Sequence, residues 1–327
     1  MNRHCANPQS PDESSIVNPL SAMAAVAVVL ATVAMAAQSA PATYQRVVGW
    51  APAPGGTTWG QVPGMAIDAT GRLFVFRRGE PPVVELDADG MVLKTWGEKQ
   101  FVWPHGIRVD REGYLWITDG RARDGVGQQV FKYTRDGRLL MTLGTKGVAG
   151  EGPNTFNGPC DVAVAENGDI FVADGHWNAR IVKFAKDGTF IKAWGTKGTG
   201  PGELDVPHTL VIDKRGRVLV GDRSNKRVQI FDQDGRYLTE WTHLGSPSGM
   251  FIAPDDTLYV VDYNDRKGIF IASAETGVVR QKLDDAVAES VAVDAAGNIY
   301  VGETVPGETL TGLPGGNIVR KFVKGVH

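Results

Sequence analysis

Between residues 44 and 325 the chain is a succession of short apolar runs separated by polar turns rich in Gly, Asp and Asn. One unit recurs. In PHGIRVDREGYLWITD (104–119), PCDVAVAENGDIFVAD (159–174) and PHTLVIDKRGRVLVGD (207–222) an apolar run, a turn with Gly, a second apolar run and an acidic stop follow one another. Looser copies begin at residues 62, 247 and 288, so the six starts lie 42, 55, 48, 40 and 41 residues apart. After each of the first five units comes a second pair of apolar runs, at 83–97, 130–144, 181–195, 228–241 and 269–283. Four of these pairs carry Asp-Gly, at 89–90, 136–137, 187–188 and 234–235. Asp-Gly between apolar runs signals a hairpin, because the turn needs a residue at positive φ.

Each unit therefore predicts a four-stranded antiparallel blade, and a period of this length with several strands per repeat predicts a propeller. The fold class expected is all-β, a six-bladed β-propeller. The sixth unit has only three strands of its own, the last at 317–323. The lone run at 44–50 is expected to supply its fourth strand and close the ring, which removes exposed sheet edges. Residues 41–327 are expected to form this one domain.

The first 40 residues differ. Ala22–Ala37 is apolar except for Thr32 and is followed by Gln38, Ser39 and Ala40. This reads as a signal peptide, with an uncleaved N-terminal anchor as the alternative. Export to the periplasm or the exterior is the localisation expected. The only cysteines are Cys5 and Cys160, so the exported chain would hold one thiol and no internal disulfide. Net charge is −3, with no basic excess to suggest a nucleic-acid partner. A monomer acting on a small-molecule or peptide ligand at the channel mouth is the expectation.

Aligned by their strands, the six units place one residue each at a common height at the start of the innermost strand: Pro63, His105, Cys160, His208, Ser248 and Glu289. Blades 2, 4 and 6 supply His105, His208 and Glu289, about 120° apart in a six-bladed ring. A lone His more often caps a strand, but two of only six His fall in this row with an acid completing the triangle. Two imidazoles and a carboxylate around one opening suit zinc or ferrous iron with an open position. A second row follows the second strand: Arg78, Gly120, Gly175, Arg223, Tyr263 and Thr304. Arg78 and Arg223 stand on opposite sides, placed to converge on a carboxylate or developing oxyanion. The plainer reading of Arg223 is an ion pair with neighbouring Asp222. His176, one residue past this row, is a candidate acid or base, and Trp177 a pocket wall.

On the stretches FRRG (76–79), PHGIRVD (104–110), DVAVAENGDIFVADG (161–175), NARIVKF (178–184), GPGELDVPHTL (200–210) and DRSNKRVQIFD (222–232), the chain resembles NHL-repeat propellers and, among them, peptidyl-α-hydroxyglycine α-amidating lyase. The resemblance implies a zinc site from three His in blades 2, 4 and 6. His105 and His208 match two of them, and Glu289 stands at the third. It also implies two catalytic Arg, matched by Arg78 and Arg223, and a catalytic Tyr, whose place His176 takes. Tyr263 is a nearby substitute. The family's structural calcium would need an Asp where Ser290 stands, which speaks against calcium here. Its two disulfides fall at Asn157 with Trp177 and at Leu219 with Ile230, so both are absent as pairs. The activity implied is metal-dependent cleavage of the C–N bond of a peptidyl- or N-acyl-α-hydroxyglycine to amide and glyoxylate, with Arg78, His176 and Arg223 catalytic. The alternatives are a non-catalytic propeller that binds a peptide, glycan or protein, and a lactonase-like hydrolase.

Overall fold

The computed structural model describes residues 41–264, 268–284, 286, 288–304 and 318–325. The leader expected at 1–40 lies outside them. Six four-stranded antiparallel sheets make up the described chain, arranged as the blades of a β-propeller. The innermost strands are Gln61–Ile67, Pro104–Val109, Pro159–Val164, Pro207–Ile212, Pro247–Ile252 and Ser290–Val293. The first five blades each run consecutively from inner to outer strand. In the sixth, Tyr44–Val47 pairs antiparallel with Val319–Lys324, with Tyr44 opposite Lys324, so its outer strand comes from the start of the propeller.

Local chemistry sets the turns. Between the first two strands of blades 1, 2 and 4, an Asp carboxylate at the strand end closes the turn on itself. Asp68 Oδ1 accepts from the amides of Thr70 and Arg72, Asp110 Oδ1 from Glu112 and Tyr114, and Asp213 Oδ1 from Arg215 and Arg217. This is the side-chain mimicry of a turn that favours Asp there. At the outer Asp-Gly hairpins only the Gly is left-handed; Gly90, for example, has φ of 84° while Asp89 does not. The turn is therefore longer than two residues, and a register shift at Glu85/Leu86 marks the bulge that accommodates it.

The core lies between blades, where apolar faces of neighbouring sheets meet. Between blades 1 and 2, Phe74, Phe76, Ile107, Ile117 and Phe131 are buried together. Wholly buried side chains of this size contribute about 1.5–3 kcal/mol each.

The channel along the propeller axis is closed by one polar cluster. Arg108, on the inner strand of blade 2, makes a two-pronged bond to Asp161 of blade 3, Nε–Oδ1 at 2.8 Å and Nη2–Oδ2 at 2.5 Å. Its Nη2 also donates to Thr209 Oγ1 of blade 4, and its Nη1 to the Met250 carbonyl of blade 5. Asp161 further accepts from Thr209 Oγ1 and from the amides of Val162 and Leu210. Burial alone would lower the pKa of Arg108, but Asp161 outweighs it and raises the value. One side chain thus ties its own inner strand to three others.

Removing one partner of such a pair leaves the other charge buried and uncompensated. Arg108→Met should lower the unfolding free energy by about 3–5 kcal/mol. Urea denaturation should also show that Arg108→Met combined with Asp161→Asn costs less than the two single changes added together.

Candidate metal centre at the channel mouth

The first-row residues face the channel for a reason visible in the sheet register. In blades 2 to 5 the pairing of the two innermost strands slips beside this row: between Pro104 and Ile107, Pro159 and Asp161, Pro207 and Thr209, and Pro247 and Gly249. The bulged residues are His105, Cys160, His208 and Ser248. A bulge turns a side chain off the strand's regular alternation, and here it turns each one inward. Glu289 reaches the same height one residue before the inner strand of blade 6, with its amide donating to the Gly302 carbonyl.

His105 and His208 are buried and built alike. His105 Nδ1 lies 2.8 Å from the Cys160 carbonyl and His208 Nδ1 lies 2.8 Å from the Ser248 carbonyl. A carbonyl only accepts, so each Nδ1 carries the proton and each Nε2 presents a lone pair to the centre. His208 Nε2 is 3.2 Å from Glu289 Oε1, but out of line for a hydrogen bond. His208 Nε2 and Glu289 Oε2 are both buried without a hydrogen-bond partner. His176 closes the group: its Nε2 is 2.8 Å from His105 Nε2. Potential ligand atoms of His105, Cys160, His176 and His208 all lie within 4.8 Å of one another.

The electrostatics keep the imidazoles neutral. Burial, followed by His208, His176 and Arg78, holds His105 well below the ordinary histidine range. Burial and then Arg223 lower His208, against the pull of Glu289. His176 is pushed down to about 2 by burial, His208 and the three guanidinium groups of Arg223, Arg78 and Arg121. Glu289 moves the other way: burial would raise it, yet His208, Arg223 and Arg78 together hold it below the usual carboxylate value. Neutral imidazoles with inward lone pairs beside an ionised, unsatisfied carboxylate are a donor set that fits a divalent cation.

Arg78 and Arg223 converge on this cluster from above. Arg78 donates to Gln61 Oε1 at 2.8 Å and to the Pro104 carbonyl, and its guanidinium lies over the Trp103 ring at 4.1 Å. Burial pulls its pKa down to about 10. Arg223 Nη1 lies 3.4 Å from Glu289 Oε1. The ion pair between Arg223 and Asp222 expected from their adjacency does not form. The strand ends at Asp222, which turns to Arg227 Nε, at 2.8 Å, while Arg223 lies in the turn beyond it. Tyr263 points instead to Thr304, its hydroxyl 3.4 Å from Oγ1, and burial raises its pKa.

Three neighbours were not singled out from the sequence. Cys160 belongs to the first row, but its thiol is wholly buried, lies 3.3 Å from the Gly158 carbonyl and is pushed far up by burial. Trp103 packs against His105 and His176, with ring centroids 5.2 and 4.8 Å apart. Arg121 covers Trp103 at 4.3 Å. Arg121 follows Gly120 as His176 follows Gly175, so the repeat register held the signal for it. The larger cavity, about 410 Å3, lies at the other end of the inner strands, around Ile67, Val109, Val164, Ile212 and Ile252, away from this cluster.

Asp119 supports the Trp103 wall by accepting from the amides of Val102 and Trp103 at 2.9 and 2.6 Å. In blades 3 and 4 the equivalent Asp174 and Asp222 face Arg180 and Arg227 in register, whereas Asp119 faces Gln129. Burial raises all three carboxyls, Asp119 to about 6 against the pull of the two amides it accepts from.

The class is set by these findings together. The NHL repeat profile matches residues 156–184 and 204–231. The chain is an NHL-repeat β-propeller that resembles peptidyl-α-hydroxyglycine α-amidating lyase. Human NHL repeat-containing protein 3 is 34% identical over 235 residues, 67% of this chain and 66% of that protein. Peptidyl-α-hydroxyglycine α-amidating lyase 1 of Drosophila melanogaster is 39% identical over 156 residues, 44% of this chain and 28% of that protein. The chain thus matches just under two thirds of the human relative's length and little more than a quarter of the fly enzyme's. A gluconolactonase structure from Xanthomonas campestris superposes with a TM-score of 0.59 at 16% identity, covering 81% of this chain and 87% of the other, a likeness of fold alone.

A carboxyl whose folded pKa is raised favours the native state when protonated, so its penalty is absent below the unfolded value and complete above the folded one. Stability should therefore fall as pH rises from about 4 to about 6 at this group, by up to about 3 kcal/mol. Asp119→Asn lacks the titration. Urea unfolding of the two proteins from pH 4 to 7.5 should show the difference shifting in the variant's favour across that window.

Proposed function

We propose that the chain is a metal-dependent lyase that cleaves the C–N bond of a peptidyl- or N-acyl-α-hydroxyglycine. The observation that carries this reading is the meeting of His105, His176, His208 and Glu289 at one channel mouth beneath Arg78 and Arg223. Similarity to a fly enzyme named for this reaction supports it. His105 Nε2, His208 Nε2 and a Glu289 oxygen are the residues that would hold the ion, zinc or ferrous iron. When bound, such an ion supplies Lewis-acid stabilisation to a substrate oxygen.

The chain's own groups do the rest. Arg78 and Arg223 bind the substrate carboxylate and fix the carbinol carbon over the cluster. That carboxylate offsets two of the cations that depress His176, which raises its basicity once substrate is in place. His176 then takes the hydroxyl proton. The O–H electron pair becomes the carbonyl bond, the C–N bond breaks, and its electrons leave on nitrogen. Nitrogen regains a proton from His176, giving the amide and glyoxylate. In the free chain burial and the neighbouring charges keep the His176 ring neutral.

A second reading has its own support. Human NHL repeat-containing protein 3 matches a larger share of this chain than the fly lyase does. That relative's name states no activity, which leaves open a non-catalytic propeller that binds a partner at this face.

Elemental analysis separates the two. The lyase reading expects about one zinc or iron per purified chain, lost when His105→Ala and His208→Ala are combined. No metal after reconstitution would favour the binding reading. Turnover gives the second check. The metal-loaded chain should release glyoxylate from an N-acyl-α-hydroxyglycine, and His176→Ala or Arg223→Ala should lower kcat/KM by about 100-fold or more. A fully loaded wild-type protein that releases none would remove the lyase assignment.

A further inference from the structure

A second cavity, about 330 Å3, opens between blades 3 and 4 and shares a wall with the histidine cluster. His176, Trp177, Ala179, Thr196 and Val206 line it. His176 belongs to both spaces: its Nε2 meets His105, while its residue borders the cavity.

Trp177 is the unusual feature. It is 50% exposed, whereas Trp50, Trp59, Trp96, Trp116 and Trp241 are all buried. It is nevertheless held firmly. Its amide and that of Asn178 both donate to the Asn157 carbonyl at 3.1 Å. Its ring lies so close over Gly158 that a Cβ there would sit 2.7 Å from the ring edge. Arg121 lies 5.4 Å from the ring centroid and Trp103 5.9 Å. A large apolar face fixed in place and left open to water is prepared to cover something, since its ordering cost is already met.

Most of the polar and charged groups around the cavity already have partners. Asn178 and Arg180 bond Asp174 at 2.7 and 2.9 Å, and Lys197 pairs with Asp205 at 3.3 Å. Glu151 is an exposed acid on the rim. Gly175, Trp177, Ala179, Gly195 and Val206 make up the apolar part of the lining, beside the polar His176 and Thr196.

We infer that this cavity is the subsite for the acyl portion of the ligand, and that Trp177 selects bulky apolar or aromatic acyl groups. The inference rests on the lyase reading for the ligand's other end. With the carboxylate held by Arg78 and Arg223 and the reacting carbon beside His176, the acyl group leaves the cluster along the His176–Trp177 wall. Its apolar surface then covers the indole.

The test is calorimetric binding of N-benzoylglycine and N-acetylglycine, which lack the reacting hydroxyl, to the full metal-loaded chain. Wild type should bind the benzoyl compound at least about tenfold more tightly. Trp177→Ala should bring the ratio of the two affinities to about one, and Trp177→Phe should keep most of it. Equal affinities in wild type, a preference that survives Trp177→Ala, or no binding of either compound would overturn the inference. The two readings fail separately. A Trp177-dependent preference without glyoxylate release from hydroxylated substrates would leave the subsite and remove the lyase. Glyoxylate release without any acyl preference would do the reverse.

Discussion

The bond between Arg108 and Asp161 is the constraint on which the channel depends. A propeller leaves a hole at its centre, and the inner strands around it have no sheet neighbour on the channel side. Here a guanidinium from blade 2 and a carboxylate from blade 3 fill the hole and tie in Thr209 and the Met250 carbonyl. Neither charge would be tolerated there alone. Together they fix the relative heights of four blades, because planar two-pronged geometry allows little slip. The histidine row lies only one to three residues up the same strands, so its spacing inherits that precision.

Above this plug the charge balance is different. Asp161 satisfies Arg108 within the channel, whereas the mouth layer holds one carboxylate, Glu289, beneath Arg78 and Arg223. Burial first, and this imbalance second, push His176 to about 2 and lower His105 and His208. A site so short of negative charge favours an anionic ligand, and the neutral His208 leaves its Nε2 lone pair without a hydrogen-bond partner. The two features answer separate parts of one substrate: arginines for a carboxylate, and inward nitrogens for an ion. The indole wall beyond His176 offers a third contact of another kind, apolar and already ordered.

Blade 2 departs from the pattern that blades 3 and 4 share. In those two an Asp at the end of the second strand bonds an Arg in register and shapes the loop above it. All three Asp accept from a loop amide, of Val102, Asn157 and Asp205; in blade 2 Gln129 replaces the Arg, and Asp119 accepts from the Trp103 amide as well. The loop it shapes carries Trp103, the ring on which Arg78 and Arg121 rest. A loss of symmetry in the support thus accompanies the one-sided wall of the site.

Much of this was legible in the chain. The recurring apolar pairs and Asp-Gly turns define the blades, because hairpin geometry is local. Repeat register placed His105, His208 and Glu289 in one row and Arg78 and Arg223 in the next, because equivalent positions in a propeller share a height. The turn after Gly175 likewise gave His176. Sequence could not say that Arg223 turns from Asp222 to Glu289, that Arg108 crosses the channel, or that an exposed indole borders a cavity. Those outcomes depend on distances between blades, and blade separation and tilt are fixed only when all six sheets pack. The sequence by itself determined the repeat and the residues presented at each level. Tertiary structure alone decided which of them touch, because every decisive contact joins strands that lie far apart along the chain.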